Sequence, residues 1–175
     1  DLADAGLISL DEARRRTASL DEAALTLARV VTESGQPLQP LAQAMSACSG
    51  VAVGEIALDA ERAHARRAAG VDVVLLRAEA ETRDIAALED ACGLLTTRGA
   101  RTSHAAVVAR QLGKVCLVGC EALHIDMARR SVEFASAGGV QVFAEGEPLT
   151  LDGNTGALYA GAARTVREAP ADLLR

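Results

Sequence analysis

The stretch Leu94-Leu95-Thr96-Thr97-Arg98-Gly99-Ala100-Arg101-Thr102-Ser103-His104-Ala105-Ala106-Val107-Val108-Ala109-Arg110 decides how this chain is read. Gly93 to Thr96 is a short apolar run, read as a buried strand. It opens into a polar loop holding two arginines and a glycine. From His104 to about Leu112 small apolar residues predict a helix, so the unit is strand, loop, helix. The same alternation extends to both sides. Val51 to Leu58 reads as a strand, and Asp59 to Ala69 as a helix capped by Asp59 and ended by Gly70. Val71 to Leu76 is a buried strand, Thr82 caps a helix over Asp84 to Ala91, and Val115 to Val118 is a further strand. Strand–helix–strand spacing of this kind predicts a parallel sheet covered by helices.

Beyond that core the pattern changes. Val132–Phe134, Val140–Ala144, Leu149–Leu151 and Ala157–Tyr159 are short strands, with turns at Ala137-Gly138-Gly139, Glu145-Gly146 and Asp152-Gly153-Asn154-Thr155-Gly156. Antiparallel hairpins fit such spacing. Ser9-Leu10-Asp11-Glu12 and Ser19-Leu20-Asp21-Glu22 both match a capping box, predicting helices over Ala13–Thr17 and Ala23–Glu33. Gly35 ends the second, and Gln36-Pro37-Leu38-Gln39-Pro40 is a connector. The expected organisation is a helical leader over 1–45, an α/β domain over 46–165 with a parallel sheet and an antiparallel second layer, and a tail over 166–175.

Composition narrows the function. The chain has 175 residues, room for one domain and a short leader, and its net charge of −6 disfavours a phosphate-backbone binder. Aromatics are 2% of residues, so the core is built from Ala, Val, Leu and Ile, and base stacking is not expected. Nucleic acid is therefore not an expected partner. The longest uncharged run, Ser34 to Gly54, is broken by Gln, Pro, Ser and Gly, so neither a membrane span nor a membrane partner is expected. The acidic start does not read as a signal peptide, and the missing initiator Met fits a processed chain or a piece of a longer protein. Cys48, Cys92, Cys116 and Cys120 lack C-x-x-C spacing, which predicts reduced thiols in a cytoplasmic protein.

The chemistry gathers at His104. An imidazole at the start of a helix sits beside unpaired backbone amides and the positive end of the helix dipole. Arg98 and Arg101 supply guanidinium forks suited to phosphate oxygens, Thr102 and Ser103 supply hydroxyls, and Gly99 lets the backbone approach. A ring nitrogen of histidine can accept a phosphoryl group. The small residues Ala105, Ala106 and Ala109 allow close packing beneath, with Val107 and Val108 toward the core. A lone histidine at an apolar helix start ordinarily makes a hydrogen bond and nothing more, but the flanking Arg-Gly-x-Arg-Thr-Ser reverses that reading. A serine-hydrolase reading of Ser103-His104 fails because no G-x-S-x-G elbow is present. Cys116, Cys120 and His124 fall at intervals of four, but a strand followed by Gly119 gives them no common face, and no metal site is expected. His64 reads as a solvated helix face. Asp84, Glu89 and Asp90 read as surface charge, and Asp152 as a turn residue.

These residues carry a resemblance. Thr96 to Gly119 resembles the phosphohistidine segment of PEP-utilising enzymes, in the T-x-R-G-G-x-T-S-H-A-A-V-V-A-R form followed by G-K-x-C-x-x-G-C found in the pyruvate, phosphate dikinases. Here the second part reads Gly113-Lys114-Val115-Cys116-Leu117-Val118-Gly119-Cys120. Ser46 to Gly54 is similar to the family's A-S-P-G-x-x-x-G strand, and Asp152 to Tyr159 to its D-G-x-T-G-x-x-Y segment. The leader, Gly6-Leu7-Ile8-Ser9 with Glu12-Ala13, resembles the dikinase linker. The resemblance implies a swivelling three-layer β/β/α domain whose histidine, by motif His104, shuttles a phosphoryl group. The partners it implies are an ATP-grasp nucleotide-binding domain and a barrel domain binding PEP or pyruvate with magnesium, fused or separate. On that reading no cofactor is expected on this domain itself. Thr102 falls where some dikinases carry a regulatory phosphate. Arg98, Arg101 and Arg110 are candidates for phosphate or docking contacts on charge and position alone.

Two departures and an absence qualify the resemblance. The second glycine of the pair is Ala100, which is strained if that position needs a positive φ and harmless if it does not. Ser-Pro-Gly has become Cys48-Ser49-Gly50. Neither a nucleotide-binding loop nor a barrel fits in 175 residues, so the chain is expected to be incomplete alone. The alternative is a non-catalytic relic or regulatory binding module that keeps the fold. Homodimerisation through the leader is left open.

Overall fold

The computed structural model describes residues 27–31 and 38–168. Arg29–Val166 forms one compact unit. Four strands, β4 (Val51–Ala57), β5 (Val73–Arg77), β6 (Gly93–Thr96) and β7 (Val115–Val118), run parallel and neighbour one another in that order. Helices α1 (Ala60–Ala68), α2 (Asp84–Asp90) and α3 (His104–Gln111) make the three crossovers. Side chains alternate along each strand, as a sheet buried on both faces requires. Val73 and Leu75 of β5 join Ala63, Ala87, Leu88 and Ala106 in a core beneath the helices. Val74 and Leu76 join Ile56, Leu95, Leu117 and Phe134 in a second core on the other face.

The sheet closes on itself. β11 (Pro148–Asp152) pairs antiparallel with β4, β12 (Ala157–Ala160) with β11, and β2 (Ala42–Gln43) with β12. At the far end β3 (Met45–Cys48) pairs antiparallel with β7. β2 and β3 are separated only by Ala44, so one short run of chain zips both ends of the ladder together. Gly156, at φ +80°, is required there, because a β-carbon would collide with the Ala44 carbonyl oxygen. β8 (Leu123–Asp126), β9 (Ser131–Ser136) and β10 (Gly139–Ala144) form a separate antiparallel sheet that contributes Leu123, Val132 and Phe134 to the second core.

A mixed α/β fold with one large sheet is therefore observed, and three sequence expectations need correction. The helix expected over Ala23–Glu33 is a strand where the chain is described: β1 (Leu27–Val31) pairs with β13 (Arg164–Glu168) in a two-stranded sheet. The β-branched pair Val30-Val31 favours an extended backbone, and tertiary pairing outweighs the capping box upstream. The expected helix over Ala13–Thr17 lies outside the described residues. Thr82 does not cap α2. Arg83 holds the N-cap position without a side-chain bond, and the Asp84 carboxylate accepts from the Glu81 amide instead. Asp84 is not surface charge either: it is 3% exposed and ion-paired to Arg77 at 3.1 Å.

Candidate functional site

The loop from Thr97 to Ser103 leaves the carboxyl end of β6 and is tied to the neighbouring strand rather than free. The Thr97 amide donates to the Arg77 carbonyl, the Arg98 amide to the Ala78 carbonyl, and the Thr97 hydroxyl to the same Ala78 oxygen. Gly99 takes φ +116° and makes the bend. Ala100 does not have a positive φ, so its methyl group introduces no left-handed strain and the backbone objection to this position lapses. Beneath the bend, the Thr96 side chain is 2% exposed and its hydroxyl finds no partner among the described residues.

Ser103 then caps α3. Its hydroxyl accepts from the Ala106 amide at 3.3 Å and its carbonyl accepts from the Val107 amide, so the first turn is locked at the point where His104 emerges. Ala105, Ala106 and Ala109 are buried on the sheet, which brings the helix close to β7 and β3. Val107 does not face the core as expected. It is 38% exposed, because successive helical residues point about 100° apart and the sheet-facing stripe is already filled by alanines. Val108 is partly buried against that core.

The His104 side chain is exposed and lines a concavity of about 410 Å³. Its other walls are Ala80, Glu81, Thr82, Arg83, Ile85 and Ala105. Most of these belong to the loop after β5, which sequence reasoning passed over. The available signal was topological: in parallel sheets with helical crossovers, ligands collect at the carboxyl ends of adjacent strands. That loop is stiff at its base. Arg77 donates from Nε to Asp84 and from Nη1 to the Leu58 carbonyl, and the Glu81 amide donates to Asp84 at 2.9 Å. Above this anchor Arg83 and Glu81 form a two-point ion pair, at 2.9 Å and 3.1 Å.

The expected phosphate-binding residues are distributed unevenly. Ser103 and Gly99 shape the loop as described, while Arg101 and Thr102 are exposed on it. Arg98 lines a neighbouring concavity with Glu79, Glu81, Ile125 and Met127 rather than the one holding His104. Arg110 donates to the Ala47 carbonyl at 2.8 Å and so ties α3 to β3. Cys116 lies in the core under the helices, Cys120 in the other core, and His124 is exposed, so the three share no face. Burial pushes the Cys116 thiol up to about 12 and Cys92 to about 11, which keeps both protonated. Asp152 closes its turn as expected, accepting from the Asn154 amide at 2.9 Å. Among the described residues no helix is long and apolar enough to cross a membrane.

The sequence that carries this unit has counterparts among known proteins. Residues 70–156 match the family described as PEP-utilising enzyme, mobile domain. This stretch of the chain is a PEP-utilising enzyme mobile domain. Over 163 residues, a span that includes this stretch, the chain is 39% identical to pyruvate, phosphate dikinase of Entamoeba histolytica, covering 92% of this chain and 17% of that protein. The Clostridium symbiosum enzyme of the same name is 37% identical over 164 residues, 92% of this chain and 18% of that one. Pyruvate, phosphate dikinase 2 of Zea mays is 41% identical over 123 residues, 70% of this chain and 14% of that one. The chain thus spans less than a fifth of the length of these relatives.

Proposed function

We propose that this mobile domain is a phosphohistidine carrier of a pyruvate, phosphate dikinase-like phosphotransferase, a swivelling β/β/α domain over 46–165, with His104 as the covalent acceptor. The observation that carries the reading is the placement of His104: exposed, on a capped helix start, in a concavity wide enough for a phosphoryl donor. A neutral ring nitrogen attacks phosphorus, the P–N bond forms as the bond from phosphorus to the enol oxygen of PEP breaks, and the enolate takes a proton to become pyruvate. From His104 the phosphoryl group passes on to a nucleotide, and the reverse sequence carries it from the nucleotide side to the pyruvate enolate. The helix start and nearby donors stabilise the added negative charge. The donor and acceptor sites belong to an ATP-grasp nucleotide-binding domain and a PEP- or pyruvate-binding barrel, with magnesium held there, in a cytoplasmic enzyme. The short share of the relatives that this chain spans supports fused partners. Thr102, exposed two residues before His104, is the candidate for regulatory phosphorylation.

The test is to mix the chain with radiolabelled PEP, magnesium and a separately made dikinase barrel. Acid-labile, base-stable label that is absent from His104→Ala is the expected result. No label on this chain, while an authentic dikinase mobile domain is labelled alongside, would overturn the carrier reading.

A further inference from the structure

Two arginines were positioned by sequence to meet a phosphoryl group, yet the wall facing His104 carries a different one. Arg83 lines the His104 concavity and Arg98 lines its neighbour. Arg83 is held by Glu81 in a two-point ion pair whose side chains are 73% and 55% exposed. An exposed pair of this kind is weak, so either partner is readily exchanged. The backbone beneath it is not: Glu81 and Asp84 are joined through a buried carboxylate, and Ala78 is lashed to the His104 loop by Thr97 and Arg98. The wall therefore presents a mobile cation from a fixed position. It also places a carboxylate, Glu81, in the same concavity.

We infer that Arg83 is the cation that binds the phosphoryl group on His104, exchanging its Glu81 partner for phosphoryl oxygens when the histidine is loaded. This rests on the carrier reading above and adds a residue to it. The dianion offers the guanidinium the same planar two-point geometry that Glu81 offers in the unloaded state, with more charge. Glu81 is then released, and its own charge opposes the phosphoryl group. Arg83 and Glu81 thus act with opposite sign on one equilibrium. The arrangement sets how long the phosphoryl group is retained between transfers.

Potassium phosphoramidate provides a probe that needs no partner domain. It transfers its phosphoryl group to a histidine nitrogen, its own P–N bond breaking as the new one forms, and ammonia leaves. The full 175-residue chain is loaded this way, the His104 signal is assigned in the phosphorus NMR spectrum by its loss in His104→Ala, and its chemical shift is followed with pH. This assignment excludes label on the exposed His64 and His124. Arg83→Ala raises the protonation midpoint of the phosphoryl group by about half a pH unit, the shift that corresponds to one exposed charge contact. Arg83→Lys restores part of that shift, and Glu81→Gln lowers the midpoint. A midpoint unchanged in Arg83→Ala, or shifted by Arg98→Ala instead, overturns the assignment of Arg83 and leaves the carrier reading standing. Failure of the folded natural chain to load at His104 from phosphoramidate and from PEP with the barrel overturns the carrier reading itself.

Discussion

Removing the Asp84 carboxylate tests whether the wall opposite His104 is anchored as described. Asp84 and Arg77 have side chains 5% and 16% exposed and meet at 3.1 Å. The same carboxylate oxygen accepts from the Glu81 amide at 2.9 Å. Breaking a buried pair by deleting one partner costs about 3–5 kcal/mol, because the surviving charge is left in a poorly solvated place. Arg77 keeps one acceptor, the Leu58 carbonyl at 2.9 Å, so the lower end of that range applies. Asp84→Ala is expected to lose ~3 kcal/mol in urea unfolding with an unchanged slope, and to lower Tm by roughly 6–12 °C. Because the loss arises from the orphaned cation, replacing both partners together, Arg77→Met with Asp84→Leu, is expected to recover most of it. The two variants need only circular dichroism melts and urea titrations. A loss under ~1 kcal/mol for Asp84→Ala, or a double variant no better than the single, would refute the buried-pair argument.

Three further outcomes are expected. Gly99→Ala forces a methyl group into φ +116° and should destabilise by about 1–3 kcal/mol, while Ala100→Gly should cost no more than ~1 kcal/mol, both read by urea titration. Stability should fall in acid. The Arg66 hydrogen bonds, outweighing burial, hold Glu55 below its ordinary 4.5. At Asp59 burial pushes upward, but the Arg130 hydrogen bond and the Arg62 amide more than offset it and hold it below 3.8. Groups with lowered values stabilise fully above their unfolded pKa and lose that contribution as pH falls below it, so the decline begins under about pH 5 and should be shallower in Arg130→Ala. Iodoacetamide at pH 8 should leave Cys116 and Cys92 unmodified in the folded chain, since burial keeps those thiols protonated, and mass spectrometry of the quenched protein reads the result.

The sequence made the crossover units legible because their signals are local. The apolar runs at Val73–Leu76 and Leu94–Leu95, and the Asp59 cap and Gly70 stop around α1, each need only a few neighbouring residues to be read. The placement of His104 at a helix start was legible for the same reason, since its loop and helix are contiguous. What escaped depends on partners distant in the chain. Leu27–Val31 is a strand because it meets Arg164–Glu168, and no window around it contains that fact. Asp84 resembles an ordinary surface acid until β5 places Arg77 beneath it. The Glu81–Arg83 wall becomes a site feature only once α2 and α3 start side by side, with His104 on one and Arg83 at the other. Val107 and Val108 cannot both face the core, because adjacent residues on a helix point in different directions.

The single run that closes the large sheet concentrates risk in a few residues. Its side chains reach partners far along the chain, Gln43 to the Thr155 carbonyl 112 residues away and Ser46 to the Gly153 carbonyl 107 residues away. Such contacts carry the largest loop-closure entropy, so this segment is expected to dock late in folding, after the crossover units have formed. Until it does, β12 and β7 both present raw strand edges to other molecules. A nick or helix-favouring substitution between Leu41 and Cys48 would therefore unmask two adhesive edges at once, and its first symptom would be aggregation during synthesis rather than a local change at His104.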